Sequence, residues 1–127
     1  MSNTIEASPL SLPLFVTPKL AQTRAFYVDK LGWEPAHDMP GYLHVRSGQA
    51  SLAFMTPESG PGPEEMPSFP GRGVLVSVPV EDADRHCQRA RTQGLEPRSE
   101  PTLKPWGWRS YLLEDPNGVL LDFFHVQ

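Results

Sequence analysis

The sequence predicts one α+β domain made of two similar halves, each with the order β-α-β-β and room for a further strand. Three observations support this: a repeat at a fixed offset, a strand followed by a helix in each copy, and a Pro/Gly-rich segment between the copies. The chain has 127 residues, which suits a single domain with its own hydrophobic core. We expect the halves at about residues 10–56 and 72–127, joined by a linker at residues 57–71.

The repeat is seen both in the first strand of each copy and at the glycine that follows each helix. Gly32 and Gly94 lie 62 positions apart, and Val16 and Val78 have the same separation. Two copies with a linker between them indicate a duplicated unit, because repeat arrays need three or more units to bury a continuous core.

In the first copy, a strand precedes a capped helix. Apolar residues alternate over residues 12–16, as in a strand with one buried face. Thr17 is placed to cap the helix, and Pro18 suits its first position. Gly32 supplies the left-handed residue that typically ends a helix. The pattern therefore predicts a strand and then a helix that ends before Gly32.

The second copy has the same plan. Valines alternate over residues 74–80, which predicts a strand. Acidic residues at 81–84 begin the following helix, while Arg89 and Arg91 lie toward its end, so the charges match the helix dipole. Gly94 is expected to end this helix, as Gly32 ends the helix of the first copy. Later strands are predicted at residues 41–45, 50–55, 109–113 and 119–126.

The linker is predicted from its composition. Residues 57–63 read PESGPGP, and Pro67, Pro70 and Gly71 follow. Such a run favours neither a helix nor a central strand. We expect this segment and residues 1–8 to be disordered.

Composition narrows the classes of function. The net charge is −4 and the isoelectric point about 5.5, so a nucleic-acid partner, which favours a basic surface, is not expected. No stretch is long and apolar enough for a membrane span, and the N-terminus lacks the pattern of a signal peptide. The single cysteine, Cys87, lies on the apolar stripe of its helix, which favours a buried structural thiol over a nucleophile. We expect a cytoplasmic protein.

Three segments carry a resemblance to a known family. AFYVDKLGW at residues 25–33 resembles the first-helix signature of glyoxalase/bleomycin-resistance proteins, in the vicinal-oxygen-chelate superfamily. DPNG at 115–118, followed by Asp122, resembles the hairpin that closes their last strand. PWGWR at 105–109 resembles a segment of the bleomycin-resistance branch. The resemblance implies two βαβββ modules whose curled sheets form a cup for a small molecule, usually in a homodimer.

The resemblance also implies where a metal would be bound in the enzymes of the superfamily. Their ligands come from the first and last strand of each half. In this sequence the first-strand positions fall near Leu12 and Leu75, where no metal-binding side chain occurs. Residues 51–54 lack a carboxylate, so Asp122 alone lies where a ligand is expected. A divalent ion needs three or four donors, and we expect no metal and no other cofactor.

The candidate ligand contacts are Trp106, Arg109, Tyr111 and Asp122, with Phe54 and His44 as weaker candidates. Asp122 interrupts an apolar strand and therefore needs a partner, which is either a ligand or an arginine such as Arg109. Of Trp106 and Trp108, one could stack on a planar or cationic ligand while the other closes the barrel end, and Trp106 is favoured for the ligand. Arg109 and Tyr111 share one strand face, which is either the cup or ordinary surface.

The histidines provide no convincing catalytic base. His44 is either a ligand contact or part of a solvated strand edge, with the second interpretation favoured. His86 is expected on the helix surface and His37 in a loop. His125, three positions after Asp122 on one strand, is expected to face the other way.

The leading hypothesis is a metal-independent protein that binds and sequesters a small molecule, as the resemblance to bleomycin-resistance proteins implies. One alternative is a metal-dependent enzyme of the glyoxalase or dioxygenase type with ligands at other positions. The other is a regulatory or structural domain that has the fold but no ligand site. No nucleophile elbow, phosphate loop or Cys-x-x-Cys motif occurs that would favour other chemistry.

Overall fold

A computed structural model describes residues 11–127 of the chain. In the first half, strand β1 (Leu14–Val16) precedes helix α1 (Leu20–Arg24), which continues as a π-helical turn (Ala25–Lys30). The half ends with β2 (Glu34–Met39), β3 (Tyr42–Ser47) and β4 (Ala50–Met55). The second half contains β5 (Leu75–Pro79), α2 (Ala83–Thr92), β6 (Thr102–Leu103), β7 (Trp108–Glu114) and β8 (Leu120–Val126). The predicted disorder of residues 1–8 lies outside the described part.

The strands form two four-stranded sheets, one in each half. Their orders are β1-β4-β3-β2 and β5-β8-β7-β6. In each sheet the first strand pairs in parallel with the last strand, and the remaining neighbours are antiparallel. The predicted α+β fold of two βαβββ modules is therefore confirmed. The second strand of each module, β2 and β6, is an edge strand that the sequence pattern had not located, and His37 lies on β2 rather than in a loop.

The repeat is shifted by one residue in the first strand. Phe15 pairs with Phe54 in the first sheet and Val78 with Phe123 in the second, and all four are buried. Phe15 rather than Val16 is thus the equivalent of Val78. The spacing from this strand position to the helix-ending glycine is one residue longer in the first half, and the π-helical turn accommodates the extra residue because it closes i→i+5 hydrogen bonds.

The helix ends follow local chemistry. Asp82 caps α2, since its side chain accepts a hydrogen bond from the backbone N–H of Arg85. In the first half, α1 begins at Leu20, later than the expected start at Pro18. Thr17 instead bonds locally, with its hydroxyl accepting from the N–H of Lys19. Both halves end their helices at the predicted glycines, Gly32 with φ +76° and Gly94 with φ +83°.

The halves meet through a small buried polar network. The carboxylate of Asp115 accepts a hydrogen bond of 2.8 Å from the Tyr27 hydroxyl. Asn117 bonds the side chains of Thr17 and Thr23 at 2.6 and 3.0 Å. These contacts join the DPNG turn of the second half to the helix of the first half, so the turn is also part of the interface between halves.

The linker is more ordered than its composition predicts. It contains one 3₁₀ turn (Pro57–Ser59). Near its end, the N–H of Phe69 donates to the carbonyl of Val16, and the Phe69 ring packs edge-on against Phe15 at 5.2 Å. The aromatic contact anchors the linker to the core. No helix within residues 11–127 is long and apolar enough to cross a membrane.

Candidate functional site

Each sheet has a face that packs on its helix and a face turned away from it, which we call the open face. On β8, Leu121 and Phe123 are buried on the helix side, where the Phe123 ring packs on His86 of α2 at 4.2 Å. By strand alternation, Asp122 and Phe124 point to the open face. The open face of the second sheet is therefore where the cup of the family is expected.

Asp122 lies at the middle of this open face. It is only 9% exposed, and among residues 11–127 its carboxylate has neither a hydrogen-bond donor nor an ion-pair partner. Its cross-strand neighbours are Ser77 on β5 and Leu112 on β7. Neither carboxylate oxygen is among the fully buried polar atoms without a partner in residues 11–127, so the carboxylate reaches the surface and is available to a ligand that donates hydrogen bonds or carries positive charge.

An aromatic pair lies beside Asp122. The Trp108 and Phe124 rings are stacked, with centroids 3.7 Å apart and planes inclined by 7°. Ser110 lies two residues after Trp108 on β7 and pairs with Phe124 across the strands. It is fully buried, and its hydroxyl has no partner in the described residues. The open face thus combines a flat aromatic surface with two polar groups that lack protein partners.

Trp106 is placed differently from Trp108. It lies in the turn that joins β6 to β7, where the N–H of Gly107 donates to the carbonyl of Lys104, and its side chain is 64% exposed. Trp108 is thus the tryptophan that shares the open face with Asp122. The sequence analysis weighed Trp108 against Trp106 for this contact and favoured Trp106, and it did not name Phe124 or Ser110. The available signal was alternation along β7 and β8, but the register between the strands was unknown.

Arg109 and Tyr111 lie on the opposite face of the sheet from Asp122. The Arg109 guanidinium forms a bidentate ion pair with Asp84 on α2, at 2.7 and 2.9 Å. This hydrogen bonding holds the pKa of Asp84 below its ordinary value. The suggested pair between Asp122 and Arg109 is therefore wrong, and Arg109 ties β7 to its helix.

Tyr111 is fully buried beneath α2. Its hydroxyl lies 2.6 Å from Nδ1 of His86, and burial raises the pKa of Tyr111 well above its ordinary value. His86 is half-buried rather than a surface residue, and burial, together with the charge of Arg89, lowers the pKa of His86 to about 4. The pair is thus neutral at neutral pH, with Tyr111 protonated and His86 uncharged.

The two candidate residues of the first half, Phe54 and His44, lie on opposite faces of the first sheet. Phe54 is fully buried and packs on Tyr27 and Phe15, so it belongs to the core. His44 lies on the open face of the first sheet, where it is 4% exposed and stacks on His37 at 5.6 Å. Its Nε2 has no partner among the described residues. Burial lowers the pKa of His44, and His37 and Arg46 add to this effect.

The metal-ligand positions implied by the family do not fit a divalent ion in this chain. On the open faces, the first and last strands present Leu14 and Ala53 in the first sheet, and Ser77 and Asp122 in the second. Only Asp122 offers a donor of the usual kind. Over residues 11–127, no group of three or more His, Cys, Asp and Glu side chains converges on one point.

The fold defines a class: a protein of two βαβββ modules, each with a curled four-stranded sheet. The family model of the Glyoxalase/Bleomycin resistance protein/Dioxygenase superfamily matches residues 10–123. The chain belongs to this superfamily. Among curated proteins, none matches the sequence.

Several solved structures share the fold. A glyoxalase/bleomycin resistance protein/dioxygenase from Nocardioides has 25% identity and a TM-score of 0.76, over 98% of this chain and 87% of its own. A bleomycin-binding protein complexed with bleomycin has 20% identity and a TM-score of 0.70, over 93% and 98% of the two chains. TnmS3, an antibiotic-binding protein from Streptomyces sp. CB03234, has 24% identity and a TM-score of 0.72, over 98% and 100%.

Proposed function

We propose that this protein binds a small, flat, cationic molecule on its open face and sequesters it without a metal and without chemical conversion. The observation that carries this proposal is the Asp122 carboxylate, which reaches the surface of the open face, has no donor within residues 11–127 and lies beside the stacked Trp108 and Phe124. An antibiotic-like ligand is in keeping with the bleomycin-binding and antibiotic-binding proteins of the same fold.

Each part of the open face has a stated role in the proposal. The aromatic pair would stack on the flat part of the ligand, and such contacts contribute about 0.5–1.5 kcal/mol beyond area burial. Asp122 would accept hydrogen bonds from a cationic group. Trp106, in the exposed turn before β7, would line the rim. Binding without a metal is supported by the described residues, in which no three His, Cys, Asp and Glu side chains converge on one point.

The test is a tryptophan-fluorescence titration with bleomycin and other planar cationic antibiotics, in the presence of EDTA. We expect Asp122→Asn to weaken binding by about tenfold or more, because a hydrogen bond to a charged group contributes about 1.5–3 kcal/mol. Trp108→Phe is expected to weaken binding more than Trp106→Phe. EDTA is expected to leave the affinity unchanged.

Asp29→Asn is the matched control, because Asp29 is exposed and lies on the helix of the first half, outside the sheet that carries Asp122. Equal effects of Asp29→Asn and Asp122→Asn would mean that only net charge matters. Failure of every compound in the series to bind, or an affinity that EDTA abolishes, would contradict the proposal.

The proposal includes a homodimer that covers the open face. Val126 pairs with Trp108 and is 73% exposed, so together with the Trp108–Phe124 pair it forms an exposed apolar patch on this face. Leu75, opposite Leu120 at the other end of the same face, is 51% exposed. Exposed apolar residues of this kind are typical of an interface or a ligand groove. A second copy would complete the cup from the other side.

Charging this patch tests the dimer. We expect Val126→Glu to convert the dimer to a monomer in size-exclusion chromatography with light scattering, because a carboxylate would be buried in the interface. Leu103→Glu is the control, since Leu103 is 55% exposed but pairs with Arg109 on the helix side. A Val126→Glu protein that remains dimeric would exclude this interface.

A further inference from the structure

A second cleft lies between the two halves on the helix side, away from the open faces. It has a volume of about 640 Å³, within the range of small-molecule sites. The first half contributes Lys30 and Trp33 to its lining, and the second half contributes Glu81, His86 and Arg89. The cleft shares none of these residues with the site around Asp122.

The charges in this cleft favour an anion. Within residues 11–127, five arginines form ion pairs: Arg24 with Asp38, Arg46 with Glu34, Arg91 with Glu100, Arg98 with Glu114 and Arg109 with Asp84. Lys30 and Arg89 form none among the described residues, although both line the cleft. Glu81 is the one acidic residue in the lining, so cationic side chains are in excess.

His86 adds a neutral donor at the wall. The Tyr111 hydroxyl lies 2.6 Å from Nδ1 of His86 and has no other partner among the described residues. We therefore assign the hydroxyl as the donor, because it would otherwise have no acceptor for its proton. A neutral imidazole whose Nδ1 accepts a hydrogen bond carries its proton on Nε2. His86 lines the cleft, and the ring edge opposite Tyr111 carries this N–H group.

Another part of the wall is apolar and held in place by the core. Trp33 is 4% exposed and packs edge-on against Tyr27 at 5.1 Å, so its position is held by the core. Leu31, Val80 and Ala90 also line the cleft. A ligand with a flat apolar body would gain contact with these side chains.

We propose that this cleft between the halves is a second binding site, which takes a small aromatic carboxylic acid. The carboxylate would be bound by Lys30, Arg89 and the Nε2–H of His86, and the ring would lie against Trp33. Because the ligand contacts both halves, its binding would also stabilise their packing.

The experiment is a ¹H–¹⁵N NMR titration of the full chain with sodium benzoate, observing the indole N–H of Trp33. The chain has three tryptophans, so Trp106→Phe and Trp108→Phe assign the Trp33 signal by elimination. We expect a saturable shift of this signal. Arg89→Gln and Lys30→Gln are each expected to weaken benzoate binding by about tenfold, because each removes a charged hydrogen-bond donor.

Arg85→Gln is the matched control, since Arg85 is exposed, lies on the same helix and does not line the cleft. Benzamide and benzamidine replace the anion with a neutral and a cationic group, and both should bind at least about tenfold more weakly than benzoate. Asp122→Asn should leave benzoate binding unchanged, which separates this site from the open face. The absence of a saturable shift, equal binding of benzamide, or an equal effect of Arg85→Gln would overturn the proposal.

Discussion

Gly118→Ala is expected to lower the free energy of unfolding by about 3 kcal/mol or more, through left-handed backbone strain and overpacking. Gly118 has φ +93°, and an added Cβ would lie 2.2 Å from the carbonyl oxygen of Gly71 and 2.7 Å from its Cα. Both are backbone atoms, so the close contact cannot be relieved by a change of rotamer. A chemical-denaturation curve measures the loss.

Gly48→Ala separates the two causes. Gly48 also has a positive φ, +57°, but nothing lies within 4 Å of the added Cβ. This substitution should therefore cost only the backbone term, about 1 kcal/mol. If both substitutions cost the same, the contact between Gly118 and Gly71 contributes nothing to the effect.

Asp115→Ala is the second substitution with a large expected effect, about 3–5 kcal/mol. Oδ1 of Asp115 accepts from the backbone N–H groups of Asn117 and Val119, at 2.8 and 2.9 Å, and Oδ2 accepts from the Tyr27 hydroxyl. Asp115 is 4% exposed and Tyr27 is fully buried. Alanine would leave three donors without an acceptor, and each costs about 1–3 kcal/mol. Thermal and denaturant unfolding measure the loss.

Asp115→Asn is the control that keeps the shape and an acceptor oxygen. Burial raises the pKa of Asp115, although its hydrogen bonds act in the opposite direction. A raised folded-state pKa means that the native state holds the proton more tightly, so this contribution to stability is present at low pH and is lost as pH rises above about 3.9. The stability of Asp115→Asn relative to the natural protein should therefore improve from pH 4 toward neutrality. A large loss at every pH would show that the amide does not fit.

The local chemistry of the sequence was enough to predict most of the fold. The helix-ending glycines, the alternation over residues 74–80 and the DPNG turn each act over a few residues, so they can be interpreted without the partner strands. Strand β2 was not located because its residues are mostly exposed and include Pro35. An edge strand of that kind has no apolar alternation to detect.

The site was predicted less completely than the fold. Asp122 was identified because a carboxylate in an apolar strand is unusual, and His125 does face away from it: its Nδ1 accepts from the N–H of Ala83 on α2. Arg109 and Tyr111 were grouped with Asp122, but they lie on the other face. Alternation along β7 divides its residues between the two faces of the sheet. It does not say which of these two sets lies on the same face as Asp122 of β8.

The sequence by itself determined the superfamily, the two halves and the polar residue at the centre of the open face, because these depend on local pattern and on single unusual residues. The tertiary structure decided which aromatic side chain accompanies Asp122. The pairing of Leu112 with Asp122 puts Trp108 and Ser110 on its face and turns Arg109 and Tyr111 toward α2. A shift of one residue in that register would exchange the two sets, and no local signal in β7 fixes the register.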